Sequence, residues 1–145
     1  MELIRATEND IQILLDIEKT TTGLKIYSGY FNEKEVEEYV KNSIVYLIKN
    51  DDNIVGSVSY DVIDSNHADI SGLVIKPEFQ KKGFAKKALE LLFEKLKDYK
   101  KLSLCVHPDN HALKLYESFG FKAESRKENY FGDGEPRIIM IKKLD

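Results

Sequence analysis

Three β-branched segments follow one another between residues 43 and 75: SIVYLIK (43–49), NIVGSVSYDVI (53–63) and HADISGLVI (67–75). Only NDD and DSN part them, and residues of that kind suit tight turns. Such a run reads as an antiparallel meander, and everything else must pack on it. Past residue 75 the period of the apolar residues changes. Leu89, Leu92, Leu96 and Tyr99 share one stripe, which predicts a helix over about 83–99. KLSLCV (101–106) reads as a buried strand, and HPDN leads into a helix over about 110–119 that stops at Gly120. That helix aligns Ala112, Leu115, Tyr116 and Phe119.

The flanks complete the pattern. ELIRA (2–6) reads as a short strand, and TEND (7–10) resembles a capping box ahead of Ile11, Leu14 and Leu15. The first helix should fade at TTTG (20–23), where β-branching and glycine disfavour it. Asn32 is placed to cap a second helix with Val36, Tyr39 and Val40 on its apolar side. FKAESRKENYF (121–131) and PRIIMIKKL (136–144) should close a final hairpin around GDGE. The order β-α-α-β-β-β-α-β-α-β-β predicts a single α/β domain over residues 1–145, with a mixed sheet and helices on both faces.

Net charge is −3, yet residues 76–101 hold nine lysines against four acids, a local +5. An anionic ligand near those lysines is one reading and a solvated helix face the other. The total charge argues against general nucleic-acid binding. No apolar run approaches the ~20 residues of a membrane helix, and MELIRATEND lacks a cationic-then-apolar leader pattern. The single cysteine, Cys105, allows no internal disulfide, and no Cys/His spacing suits a metal. A cytoplasmic protein with no membrane partner and no metal is expected.

QKKGFAKKA (80–88) draws the eye to chemistry. Free N–H groups at a helix mouth and the helix dipole favour an anion. Gly83 removes the Cβ that would hold a phosphate away from the backbone, and Ala85 keeps the next turn slim. The phosphate-loop patterns GxGxxG and GxxxxGK[ST] are both absent.

LVIKPEFQKKGFAKKAL resembles the coenzyme A motif of the GNAT acetyltransferases, Arg/Gln-x-x-Gly-x-Gly/Ala, at Gln80, Gly83 and Ala85. DNHALKLYESFGF (109–121) resembles that family's second motif, and the element order matches over nearly the whole chain. The resemblance implies a mainly antiparallel sheet splayed at the cofactor site, and acetyl transfer from acetyl-CoA to an amine. It also implies that the pyrophosphate lies on the N–H groups of Lys81, Lys82, Gly83, Phe84, Ala85 and Lys86, with Lys81, Lys82 and Lys86 near the 3′-phospho-ADP end. The pantetheine arm would pair with Leu73, Val74 and Ile75. Gly72, a glycine within a strand, fits a bulge that opens the sheet there. Asn110 or Asp109 would contact the cofactor, the spacing to Tyr116 being one residue shorter than the family's commonest.

Amine attack on a thioester needs a proton acceptor, an oxyanion donor and an acid for the thiolate. The family's acid corresponds to Tyr116, which as a residue pattern also reads as a core aromatic. A backbone N–H at Val74 or Ile75 would face the oxyanion. The glutamate that many relatives carry as base is replaced by Cys105, which reads as a small buried hydrophobe. His107, Asp69, Glu124 and an ordered water are the remaining candidates for the base. NYFGDGEPRIIM (129–140) resembles the last hairpin of N-terminal protein acetyltransferases, including the ribosomal-protein-alanine type, with Tyr130 at the edge of a bound peptide. A polyamine or amino sugar is the alternative acceptor, suited to the acids of helix two. A CoA-binding regulatory domain without turnover is the alternative of another class. Either a monomer or a homodimer fits.

Overall fold

The structure is a computed structural model that describes residues 1–30 and 32–144. One seven-stranded sheet runs through it in the order β1-β2-β3-β4-β5-β7-β6. The strands are β1 (Glu2–Arg5), β2 (Ile44–Asn50), β3 (Asn53–Asp64), β4 (His67–Ile75), β5 (Lys101–Val106), β6 (Lys122–Lys127) and β7 (Arg137–Lys143). The meander formed by β2, β3 and β4 is antiparallel, as its short turns require. β4 and β5 pair in parallel, because the helix between them carries the chain back to the same end of the sheet. The remaining pairs are antiparallel.

Helices α1 (Ile11–Lys19) and α2 (Glu33–Asn42) cover one face, and α3 (Phe84–Lys95) and α4 (Ala112–Ser118) the other. Period-two alternation sorts the core accordingly. Val58, Ala68, Ile70, Leu102, Leu104 and Met140 meet Leu89, Leu92, Leu96 and Tyr116. Val45, Leu47 and Val74 meet Leu14, Leu15, Val36 and Tyr39. Full burial of each large side chain is worth about 1.5–3 kcal/mol, so both layers anchor the sheet.

Local signals act as expected at the N-terminal ends. The Thr7 N–H donates to the Asp10 carboxylate at 2.9 Å, and its hydroxyl accepts from Asn9 at 3.3 Å, so the TEND box closes a 3-10 turn (Glu8–Asp10) before α1. The Asn32 side chain accepts from the Glu35 N–H at 2.8 Å and caps α2. C-terminal boundaries move inward. α3 stops at Lys95 because Leu96 takes a φ of −101°. β6 stops at Lys127, short of residue 131, because Asn129 adopts a φ of +48° and its side chain accepts the Gly134 N–H at 2.6 Å. The final hairpin therefore has a broad loop over 128–136 in place of a tight GDGE turn.

Candidate active site

The parallel ladder between β4 and β5 covers only His67–Ile70 against Lys101–Leu104. Beyond it the strands part, leaving Ser71–Ile75 of β4 without a strand partner on that side among the described residues. A bulge sits at the parting point: Ser59 pairs with Gly72 and Tyr60 with Ile70, which leaves Ser71 over. A Cβ at Gly72 would lie 3.0 Å from both the Ser59 and Tyr39 hydroxyls, so any larger residue would press on that pair. Those hydroxyls are bonded to each other, Tyr39 donating to Ser59, with Ser71 Oγ 2.9 Å from Ser59 Oγ.

The mouth of α3 opens beside this gap. Lys81 (φ +63°) and Gly83 (φ +82°) turn the backbone into the left-handed region, and the first helical bond runs from Lys87 N–H to Gly83 C=O at 3.2 Å. The N–H groups of Phe84, Ala85 and Lys86 thus precede the helical ladder and are free for an anion. A Cβ built on Gly83 would meet nothing within 4 Å, so the space in front of the loop is open. The Gln80 side chain donates to the Ile75 carbonyl at 2.9 Å and ties the loop to the end of β4. Lys81, Lys82 and Lys86 are exposed. An anionic group followed by an extended arm fits this surface: loop amides for the first, the open edge at Leu73, Val74 and Ile75 for the second.

A cleft at the parting is walled by the chain between α1 and α2 (Ile26–Tyr30), by Tyr39, by β4 from Ile70 to Val74, and by the end of β5. Tyr116 lines it from α4, Arg137 from β7 and Phe131 from the last loop. Tyr116 is 5% exposed, its ring edge-on to Phe121 with centroids 5.8 Å apart. Among the described residues its hydroxyl has no hydrogen-bond partner. Burial first, then the proximity of Tyr27 and Cys105, pushes its pKa well above the ordinary tyrosine value, so the phenol keeps its proton at neutral pH.

The candidates for the base divide. Burial and the nearby Asp69 push the Cys105 thiol up to about 11, which leaves it a neutral thiol. His107 is 3% exposed with both ring nitrogens engaged: Nδ1 accepts the Asp109 N–H at 3.0 Å, and Nε2 lies 2.8 Å from Glu135. The neutral ring thus carries its proton on Nε2, facing a carboxylate. Asp69 accepts from Ser103 Oγ at 2.6 Å, and that oxygen lies 2.7 Å from His67 Nε2. Burial raises the Asp69 carboxyl above its usual range. Glu124 is exposed at the β6 bulge. Neither Asp69 nor Glu124 lines the cleft.

The acid that does line it is Glu18 of α1, which the sequence reading passed over. It is 5% exposed, and burial raises its carboxyl from 4.5 to about 7, against the lowering effect of a hydrogen bond from the Tyr30 backbone amide. Its spacing was a signal. Glu18 continues the Leu14–Leu15 stripe at i+4 and i+3, and an acid on an apolar stripe is out of place unless something calls for it.

Three more of the expected residues, Asn110, Asp109 and Tyr130, lie at or near the cleft. Asn110 lines the cleft, and its side-chain carbonyl accepts the Ala112 N–H at 2.9 Å in the turn before α4, whose N-cap position is His111. Asp109 pairs with Lys25 at 2.8 Å on the surface. Tyr130 is 46% exposed and stands edge-on to Phe131, and it is Phe131 that reaches the cleft.

The family model described as "Acetyltransferase (GNAT) family" matches residues 12–121. No curated protein matches by sequence. Among solved structures, the ribosomal-protein-S18-alanine N-acetyltransferase of Escherichia coli superposes with a TM-score of 0.80 at 21% identity, covering 99% of this chain and 94% of that one. The PaiA N-acetyltransferase of Thermoplasma acidophilum, in complex with coenzyme A, gives 0.75 at 22% identity, with 99% and 98% covered. A GNAT family acetyltransferase of Elizabethkingia anophelis with acetyl-CoA bound gives 0.76 at 19%, with 99% and 97% covered. At these identities the likeness is one of fold.

Proposed function

The chain belongs to the acetyltransferase (GNAT) family, and from that premise we propose that it moves the acetyl group of acetyl-CoA to the primary amine of a peptide N-terminus. The observation that carries the choice of acceptor is the charge of the cleft. Among its lining residues Glu18 is the sole carboxylate, and Arg137 stands in the same wall. One buried acid matches one ammonium group. A polyamine would need further acids along its length, and the acids of α2 (Glu33, Glu35, Glu37 and Glu38) lie outside the cleft lining. The likeness in fold to the ribosomal-protein-S18-alanine N-acetyltransferase named above is in keeping with this reading.

Acetyl-CoA, when bound, supplies an activated acyl carbonyl. The amides of residues 84–86 and the lysines at 81, 82 and 86 would hold its phosphates, each charge-assisted contact contributing roughly 1.5–3 kcal/mol before losses. The open edge at Leu73–Ile75 would hold its arm and present a backbone N–H to the oxyanion. Tyr116, neutral and without a protein partner, would give its proton to the departing thiolate. Mass-spectrometric screening with acetyl-CoA against peptides with free α-amines, polyamines and aminoglycosides tests the reading. Acetylated peptide α-amines are expected. Turnover confined to polyamines or amino sugars would replace the acceptor, and coenzyme A binding without product would favour the regulatory reading.

A further inference from the structure

We propose that Glu18 seats the acceptor's ammonium group within a tyrosine-walled pocket and takes its proton before attack. This rests on the acetyl-transfer reading above and names the group that reading lacks. Glu18 lines the cleft together with Tyr27, Tyr30, Tyr39 and Tyr116. The Tyr30 and Tyr39 rings stack with centroids 4.5 Å apart, so aromatic faces as well as the carboxylate favour a cation there.

The charge of Glu18 is what needs explaining. Among the described residues no cation pairs with it. Arg137, the cation of the cleft, is 3.3 Å from Asp133 and donates to the Pro136 carbonyl at 3.0 Å. Lys25 is held by Asp109. A buried carboxylate without a counter-ion is costly, and its one backbone bond, from Tyr30, would be accepted equally well by a neutral glutamine. A role as a loop cap therefore accounts for the acceptor atom and leaves the charge over. The groups facing it are Tyr27 and Tyr30 from the α1–α2 connection, Tyr39 from α2, Tyr116 from α4, Cys105 and His107 from the end of β5, and Arg137 from β7, with Asp61 of β3 an electrostatic neighbour of Tyr30 and Tyr39.

The step is a proton transfer. An N–H bond of R–NH3+ breaks and an O–H bond forms on Glu18. The bonding pair stays on nitrogen as the lone pair that attacks the acyl carbon, and Glu18 later returns the proton to water. A group titrating near 7 is well matched to this work at neutral pH.

The test compares wild type and Glu18→Gln with saturating acetyl-CoA and a tetrapeptide bearing a free α-amine, from pH 5.5 to 9. The wild-type kcat/KM should rise through a midpoint near 7 and level off. In Glu18→Gln it should fall about 10²-fold and climb steadily with the fraction of free amine. A variant within threefold of wild type with an unaltered profile overturns the proposal. A second readout needs no turnover: the Glu18 side-chain carboxyl resonance, assigned through its own backbone in 13C-labelled wild type, should titrate near 7 and shift to lower pH when the peptide is added without acetyl-CoA. A midpoint near 4.5 that the peptide leaves in place overturns the proposal even if the variant fails to fold. Should wild type acetylate no amine at all, the acetyl-transfer reading falls, and the resonance still decides for or against Glu18 as a cation seat.

Discussion

Glu18→Gln should stabilise the protein, and do so only above pH 5. The side chains are nearly isosteric, and the amide oxygen can keep the Tyr30 N–H, so packing and hydrogen bonding are held while the charge is removed. In the folded chain the carboxyl ionises at about 7, against 4.5 when exposed. The folded state thus holds a proton that the unfolded chain gives up. With the folded value raised, the stability linked to this group is complete below 4.5, erodes as pH rises from there through about 7, and is level above. The span of 4.5 to about 7 corresponds to roughly 3 kcal/mol. Every other titrating group is common to both proteins and cancels in their difference. At roughly 3 °C per kcal/mol for a chain of this size, the variant's Tm relative to wild type should be about 10 °C higher at pH 8 than at pH 4. Differential scanning fluorimetry across pH 4–8 reads this directly. Two melting curves that stay parallel throughout that range would show that Glu18 is solvated in solution, and the argument from its burial would fail.

Tyr116→Phe keeps the ring against Phe121, and its kcat should fall roughly 10–100-fold with the KM for acetyl-CoA little changed. Because burial holds the phenol protonated beyond the ordinary tyrosine range, wild type should show no alkaline loss traceable to this group below about pH 10; an unchanged kcat would return Tyr116 to a core aromatic. Gly83→Val places a β-branched residue at a φ of +82°, a strain of about 1–3 kcal/mol, and fills the open space before the loop. Calorimetry should find acetyl-CoA binding weakened at least tenfold, and undiminished affinity in a folded variant would move the phosphate site elsewhere. Cys105→Ala should lower stability by about 1 kcal/mol, the scale of a small buried truncation. Iodoacetamide should label wild type slowly at pH 7, as befits a thiol raised to about 11; rapid stoichiometric labelling with loss of activity would restore it as a reactive group.

Much of the fold was legible because it was written in short-range periodicity. HADISGLVI is β4 residue for residue, and the N-caps at Thr7 and Asn32 hold where their side-chain chemistry put them. What failed were element ends set by single backbone choices. Nothing in ENYF announces that Asn129 will turn left-handed and stop β6, and a side-chain turn from Asn110 to the Ala112 N–H precedes α4, which starts two residues later than expected. At Gln80–Lys86 motif and backbone coincide, since the predicted helix mouth lies at Gly83, and Tyr116 lines the cleft from the predicted helix. Glu18 was not legible, because its meaning depends on a long-range fact. Only when α1 lies across the parted strands does a carboxylate on an apolar stripe become a carboxylate in a cleft. His107 failed in the opposite sense: its intrinsic chemistry suggests a base, and its partners at Asp109 and Glu135, set by the loops, occupy both nitrogens.

The parting of β4 from β5 also bears on how the protein keeps to itself. Its outer sheet edges are guarded: β1 is four residues long, and β6 carries Lys122, Glu124, Arg126 and Lys127. Short or charged edges discourage a second chain from adding a strand. The gap is an edge as well, but one inside the molecule, and its residues from Ser71 to Ile75 carry no charge and no proline. A charged guard there would spoil the surface a substrate arm must lie along. Under the acetyl-transfer reading proposed above, this unguarded β-edge would be covered by the cosubstrate. Saturation with acetyl-CoA should then act as an anti-aggregation cap, and depletion of the cosubstrate should expose the protein to strand addition by extended segments of its neighbours.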